Sequence, residues 1–240
     1  MIRIGTSGWH FEHWAGEFYP EGLKKEERLG YYKKHFDTVE INNTFYQLPS
    51  QKSVEEWREE VGSEFLFCPK ASRYTTHMKK LKDPKKSSEK FFKAIEPLGE
   101  NLGPVLFQLP PKWDVNPKRL KEFLEVLPEE YRYVFEFRDE RWLVDEVYEI
   151  LNKHNAAFCI YDLERFTSPL SVTANFSYIR LHGPSNKAYS GEYGDEGINE
   201  WKKRVDELSQ QVDGLFVFFD NDQKSFAPKD AMLLQESIKE

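Results

Sequence analysis

Eight short runs rich in Val, Ile, Phe and Tyr recur along the chain, and stretches of helical character separate most of them. The runs span residues 2–6, 38–42, 65–70, 105–109, 133–138, 157–162, 176–182 and 215–220, and most end in Gly, Pro, Asn or Asp. Helical patterns cover 24–36, 53–61, 85–98, 117–127, 143–154 and 197–211, and a last one covers 228–238. Asp83-Pro84 and Asn116-Pro117 are start signals for two of them. The link between the sixth and seventh runs is short and carries Pro169, so a helix is missing or shortened there. Strands that alternate with helices pair in parallel through right-handed crossovers, and eight such units close into a barrel. An open doubly wound sheet would carry a glycine-rich phosphate loop after its first strand, and Gly5-Thr6-Ser7-Gly8 is not one. The expected fold is therefore a single α/β domain over residues 1–240, a (β/α)8 TIM-like barrel. The length of 240 residues is close to the ~250 such barrels need.

Composition narrows the function classes. Aromatic residues make up 15% of the chain, enough for a large core. The net charge of −7 argues against a general nucleic-acid coat protein, but not against a local basic pocket. Cys68 and Cys159 each lie inside an apolar run, as reduced thiols in a core do, and no CxxC spacing is present. Met1-Ile2-Arg3-Ile4-Gly5 enters a strand pattern with no leader ahead of it, and no apolar run approaches the ~20 residues of a membrane span. The expectation is a cytoplasmic protein with no membrane partner.

Barrel strands are buried on both faces and read as continuous apolar runs, so polar residues inside them carry information. Here they gather at the C-terminal halves of the runs: Glu40, Asn42, Lys70, Gln108, Glu136, Arg138, Asp162, Arg180, His182, Asp220 and Asn221. Glu40/Asn42, Glu136/Arg138 and Arg180/His182 are each two residues apart, so each pair shares one strand face. Those pairs should point into the barrel and toward the mouth where barrel enzymes work. An internal salt-bridge network is the structural explanation, because a buried charge is costly unless paired. A ligand explains better why so many unlike charges lie at one end.

The loops that follow the strands add Ser7, Trp9, Tyr46, Arg73, His77, Tyr189 and Tyr193, with aromatic rings suited to stacking on a ligand. Trp14 and Trp142 are expected to pack their loops onto the barrel. Lys70, Arg73, Arg138 and Arg180 favour an anion such as phosphate or carboxylate. His77 and His182 suit proton transfer or hydrogen bonding to a phosphate. Glu40 and Glu136 are candidates for a catalytic carboxylate pair. A divalent metal would draw on His77, His182, Asp162, Glu136 and Asp220, but no HxH, HxxxH or HExxH spacing is present, and no cofactor is expected.

The sequence resembles the YecE-like family, also called domain of unknown function 72. The matching residues are Gly5-Thr6-Ser7-Gly8-Trp9 with Trp14-Ala15-Gly16 and Phe18-Tyr19-Pro20, then Val39-Glu40-Ile41-Asn42 with Thr44-Phe45-Tyr46. Further along come Lys70 with Thr76-His77, Gln108-Leu109-Pro110-Pro111, Glu136-Phe137-Arg138 with Trp142, and Arg180-Leu181-His182-Gly183. The resemblance implies a TIM-barrel-like fold and brings no established activity. A similarity of such barrels to endonuclease-IV-like enzymes supports a phosphate or nucleic-acid ligand by analogy alone. The chain departs from the family pattern near its last strand, where Phe219-Asp220-Asn221-Asp222 stands in place of Phe-Asn-Asn. A three-metal site also sits poorly with six histidines, since His35 and His154 fall in helical stretches.

The leading expectation is a hydrolase-like enzyme acting on a small or polymeric anionic substrate that contains phosphate, nucleic acid being the polymeric case. Lys70, Arg138 and Arg180 would hold the anion, Glu40 or Glu136 would act as base, and His77 or His182 would supply a proton. Ser7, Trp9, Asn42, Tyr46, Arg73, Gln108, Asp162, Tyr193 and Asn221 would line the substrate site. Two alternatives are a non-catalytic barrel that binds a metabolite or protein, and a carbohydrate-active hydrolase using Glu40 and Glu136.

Overall fold

The computed structural model describes residues 1–239 as a mixed α/β fold with a mostly parallel sheet. Its strands are β1 (Ile2–Thr6), β2 (Thr38–Ile41), β3 (Leu66–Pro69), β4 (Val105–Leu109), β5 (Tyr133–Phe137), β6 (Ala157–Leu163), β7 (Phe166–Thr167), β8 (Phe176–Leu181) and β9 (Gly214–Phe219). The helices are α1 (Arg28–Tyr32), α2 (Gln51–Val61), α3 (Pro84–Ile95), α4 (Pro117–Leu124), α5 (Asp145–Lys153), α6 (Gly194–Ser209) and α7 (Phe226–Lys239). Local chemistry starts several of them. Pro117 occupies the first turn of α4, where its missing N–H costs nothing, and Asn116 accepts the Arg119 N–H at 2.9 Å. Ser50 caps α2 in the same way, accepting from Ser53 N at 3.1 Å.

All eight expected runs lie on strands, but the count and the pairing differ from expectation. There are nine strands among the described residues, in two separate ladders. Six strands pair in parallel in the order β1-β9-β8-β6-β5-β4, and β2 pairs with β3 alone. The extra strand, β7, folds back antiparallel on β6 through Glu164 and Arg165, both with positive φ. That is the backbone of a tight two-residue hairpin, which usually recruits Asn-Gly; Glu-Arg gives no such signal. No helix stands between β6 and β8, as Pro169 suggests.

Side bonds rather than ladders join β2–β3 to its neighbours. On one side, Ala71 N donates to Leu106 O and Gly103 N to Phe67 O, both at 2.8 Å. On the other, the buried Tyr32 hydroxyl accepts from Thr6 N at 2.9 Å and donates to Thr38 O at 3.1 Å. A side chain at Gly5 would collide with the Thr38 carbonyl, so β1 can approach β2 only through glycine here. Tyr32→Phe strands a buried N–H and a buried carbonyl, and is expected to cost about 1–3 kcal/mol in urea unfolding. A loss below a few tenths of a kcal/mol would show that the seam does not depend on that hydroxyl.

The alternation of strand residues divides the core in two. Outward residues such as Val39, Val105, Phe107, Phe135 and Ile179 pack beneath the helices. Inward residues form a separate apolar layer of Cys68, Leu106, Val134, Ala157, Cys159, Tyr178, Phe216 and Phe218. The next inward positions along the same strands are polar, which places a charged layer directly above an apolar floor.

Candidate functional site

The charged layer is centred on Arg180, which is fully buried on β8. Its Nε and Nη2 grip Glu40 of β2 at 2.9 and 2.7 Å, its Nη1 reaches Glu136 of β5 at 2.7 Å, and its Nη2 also meets Asp220 at 2.8 Å. Nη1 also faces His182 Nε2 at 3.3 Å, so the donors of this guanidinium are all engaged. Tyr178, two residues before Arg180 on the same face, donates its hydroxyl to Glu40 at 2.7 Å. Arg138 pairs with Glu136, lies over the Tyr161 ring and reaches His182 Nε2 through Nη2 at 3.0 Å.

His182 therefore has a defined tautomer. Guanidinium groups only donate, so Nε2 accepts from both arginines, and Nδ1 carries the proton that bonds Asp220 Oδ2 at 3.0 Å. Burial by itself would push the Glu136 carboxyl up, but Arg138 and Arg180 override it and hold the group well below the usual carboxylate range. Asp220 is held low in the same way: burial pushes it up, but Arg180, His182 and Lys70 together outweigh that.

Lys70 stands apart from this network. Its ammonium lies 4.7 Å from the centre of the Phe45 ring, and among the described residues it has no hydrogen-bond or ion-pair partner. Burial, aided by Arg180, pulls the amine down to about 8 despite the more distant carboxylates. His77 packs edge-on against the same Phe45 ring, and its Nδ1 lies 2.9 Å from the Thr76 hydroxyl. Burial, with Lys70, Arg73 and Arg138 nearby, drives His77 down to about 4, so it is neutral at pH 7. Arg73 is exposed beside it, and Tyr46, Tyr74 and Tyr189 are exposed aromatic rings on neighbouring loops.

The structure thus gathers Glu40, Glu136, Arg138, Arg180 and His182 into one cluster, and Lys70 and His77 around Phe45. Gln108 lies in register with Glu136. Other expected site residues have structural employment. Tyr193 donates to Asp162 at 2.8 Å and accepts the Gly183 N–H, which ties down the loop after β8. Asn221 donates to Gly191 O and to Asp230 of α7. Ser7, Trp9 and Asn42 line a separate small cavity between the first two strand-end loops. Trp14 and Trp142 are buried in loop packing, as expected.

The expectation that Glu40 or Glu136 serves as a free carboxylate does not fit this geometry. Both are fully buried and bound to the same guanidinium, and Glu136 holds its charge too firmly to be the protonated acid a glycosidase requires. Arg180 is likewise too engaged to hold an added anion. Among the described residues, no three His, Cys, Asp or Glu side chains gather where one metal ion would reach them, so no step is assigned to a metal. Tyr178 belongs to the cluster and was absent from the expected site, and Asp220, named there only as a polar strand end and a candidate metal ligand, is a partner of Arg180 and His182. The period-two rule that paired Arg180 with His182 would also have found Tyr178, had a tyrosine in an apolar run been counted as polar.

A family model described as "Protein of unknown function DUF72" matches residues 3–240. The curated relative "UPF0759 protein YunF" of Bacillus subtilis (strain 168) is 26% identical over 257 residues, covering 92% of this chain and 89% of the relative. "UPF0759 protein YecE" of Escherichia coli (strain K12) is 32% identical over 141 residues, 58% of this chain and 48% of that protein. Among solved structures, a DUF72 family protein from Thermotoga maritima MSB8 superposes with a TM-score of 0.89 at 33% identity, over 100% of both chains. One from Enterococcus faecalis V583 gives 0.84 at 19% identity, over 100% of this chain and 96% of the other. A "Putative Vitamin-B12 Independent Methionine Synthase" from Listeria monocytogenes gives 0.54 at 11% identity, over 99% and 96% of the two chains, a likeness of fold alone. Among the described residues no helix is long and apolar enough to cross a membrane.

Proposed function

Because the chain belongs to the DUF72 family, whose description assigns no reaction, we propose from its own geometry that it binds a compact anionic group, such as a phosphate, at the C-terminal ends of its strands. The observation that carries this reading is Lys70: a side chain only 9% exposed whose ammonium has no hydrogen-bond or ion-pair partner among the described residues. A buried cation without a counter-charge is costly, and an anion removes that cost. Arg138, 8% exposed, and the outer Arg73 supply further donors, and neutral His77 supplies an uncharged hydrogen-bond partner. The buried network holds Arg138 in place before a ligand arrives.

Charge favours a small anion over a polymer. Glu40, Glu136 and Asp220 already occupy Arg180, Glu136 also pairs with Arg138, and the whole chain carries −7. A polyanionic backbone would have to overcome both. This reading takes the fold as a (β/α)8 barrel that β2–β3 closes. It is supported by the Glu40–Arg180 pair, which spans the interior from β2 to β8.

If the pocket is catalytic, the chemistry is hydrolysis of a phosphate ester: water attacks phosphorus, the ester P–O bond breaks, neutral His77 takes the water's proton and returns it to the departing alcohol oxygen, and Lys70 stabilises the negative charge. A second reading, a binder without catalysis, draws on the same cluster: its buried carboxylates are all occupied, so none is free to act as a base. Calorimetric titration with inorganic phosphate tests the anion site, and no heat at millimolar phosphate overturns it. Phosphate release from p-nitrophenyl phosphate, or cleavage of short single-stranded oligonucleotides, separates the enzyme from the binder. Oligonucleotide cleavage without phosphate binding would favour the polymeric substrate.

A further inference from the structure

The opposite end of the strands holds a larger cavity. It measures about 330 Å³, and Arg3, Leu66, Arg132, Phe176, Gly214 and Phe216 form much of its wall. Leu66, Phe176 and Gly214 are the first residues of β3, β8 and β9, and Arg132 immediately precedes β5. The cavity therefore lies at the N-terminal ends of the strands, on the far side of the apolar layer from the charged one. Phe176 and Phe216 belong to that apolar layer. Small-molecule sites start at about 300 Å³, so one compact ligand fits.

The two lining rings locate the Arg132 guanidinium. Its central carbon lies 5.1 Å from the centre of the Phe216 ring and 5.7 Å from that of Phe176. Among the described residues this side chain has no hydrogen-bond or ion-pair partner. Burial, with Arg3 adding to it, pulls its pKa below the ordinary arginine value, and no carboxylate opposes them. Arg3 lies in register with Phe216 on the neighbouring strand. It spends Nη1 on Asp37 and on the Asp37 and Glu64 carbonyls, and its Nε and Nη2 make no hydrogen bond among the described residues. Gly214 keeps the space open. Its φ is not positive, and a Cβ there would meet nothing nearer than Phe216 Cε2 at 3.8 Å and Phe176 Cβ at 3.9 Å. Neither backbone nor packing requires a glycine, and a side chain at this position would project beside both rings.

We propose that this cavity binds a small carboxylic acid as its carboxylate, with the acid group on Arg132 and an apolar body against Phe176 and Phe216. A guanidinium presents a planar fork of donors that matches a carboxylate. A partly buried cation without a counter-charge is costly, and a bound anion removes that cost. One negative charge suits the wall better than two. Arg3 is already paired with Asp37, and the Asp213 carboxylate also lines the cavity, as does the Met1 ammonium. A phosphate dianion would meet Asp213 with only Arg132 fully free. The site is independent of Lys70 and of the anion site at the other end of the strands.

Calorimetric titration with benzoate, acetate and inorganic phosphate tests the site. Benzoate is expected to bind with a Kd of about 1 mM or tighter, and acetate, which has the charge without the ring, about tenfold more weakly or worse. Phosphate at about 10 mM should not displace benzoate. Arg132→Gln removes a side chain with no hydrogen bond or ion pair among the described residues, so it should melt close to the parent while binding benzoate at least about tenfold more weakly. Gly214→Leu keeps Arg132 but fills the space, and should abolish benzoate binding; a side chain on unstrained backbone with room around it leaves folding intact, so this variant decides if Arg132→Gln does not fold. If benzoate binds as expected and phosphate gives no heat, the carboxylate site stands and the anion site at the mouth fails. No heat with benzoate at about 10 mM, acetate within about threefold of benzoate, displacement of benzoate by phosphate, or benzoate binding within about threefold of the parent in either folded variant would each overturn the site.

Discussion

Arg180→Met is expected to be the most damaging single substitution in the charged layer, lowering stability by about 3–5 kcal/mol. Arg180 is fully buried and bridges Glu40, Glu136 and Asp220. Methionine fills much of the volume but strands those carboxylates in the interior, and Tyr178 alone cannot satisfy Glu40. At roughly 2–4 °C per kcal/mol for a chain of this size, the melting temperature should fall by roughly 6–20 °C. Arg180→Lys should recover only part of the loss, because one ammonium cannot reproduce the fork that meets three carboxylates. Adding Glu40→Gln and Glu136→Gln to Arg180→Met should restore stability, since the penalty comes from unpaired charge rather than from missing contacts.

The pH dependence has a definite sign. In the parent, Glu136 and Asp220 titrate below their unfolded values, so their contribution is present above about pH 4 and lost as pH falls through the folded values. In Arg180→Met the stranded carboxylates take up protons more readily than in the unfolded chain, which favours the folded state at low pH. The gap between the two proteins should therefore narrow from pH 7 to pH 4. Chemical denaturation at both values measures it, and a loss below 1 kcal/mol at pH 7 would show that Arg180 does not support the layer.

Lys70→Met should act in the opposite direction on stability and abolish anion binding. The parent keeps a buried ammonium without a partner among the described residues, and the amine is pulled down to about 8 against an ordinary value of 10.5. Between those values the unfolded chain holds a proton that the folded protein has released, so parent stability rises with pH by about 3 kcal/mol from this group. The variant lacks that rise. It should equal or exceed the parent in stability at pH 7 without phosphate, and the difference should shrink or reverse by pH 10.5. With phosphate present the order changes: the parent gains about 2.7 kcal/mol at a ligand concentration a hundred times its Kd, and the variant gains almost nothing. A variant that is much less stable than the parent at pH 7, or that still binds phosphate within threefold of the parent, would remove Lys70 from the anion site.

Much of this arrangement was legible in the residue order. Two-residue spacing put Glu136 with Arg138 and Arg180 with His182 on common faces, and the structure brings these residues into contact. The missing helix between β6 and β8 followed from a short link with Pro169, although the Glu164–Arg165 hairpin there had no turn signature to reveal it. What spacing could not reveal was which charge meets which. Glu40 and Arg180 are 140 residues apart, and the saturation of Arg180 depends on the distances across the interior. Without those distances an arginine bound on every side reads the same as one free to hold a ligand. Tyr178 passed for an apolar strand residue because a hydroxyl on a ring shows its polarity only when a partner is placed beside it.

The sequence alone determined the alternating α/β fold and the end of the strands at which polar side chains collect. These follow from periodicity, which is a local property of the chain. Only the tertiary structure decided that the eight expected runs fall into ladders of six and two, with β2–β3 held by Tyr32 and single backbone bonds. It also decided that Arg180, one of the expected anion-binding residues, is consumed by carboxylates while Lys70 is left without a hydrogen-bond or ion-pair partner among the described residues. Burial and long-range pairing set the cost of each charge, and neither is defined until distant strands share one interior.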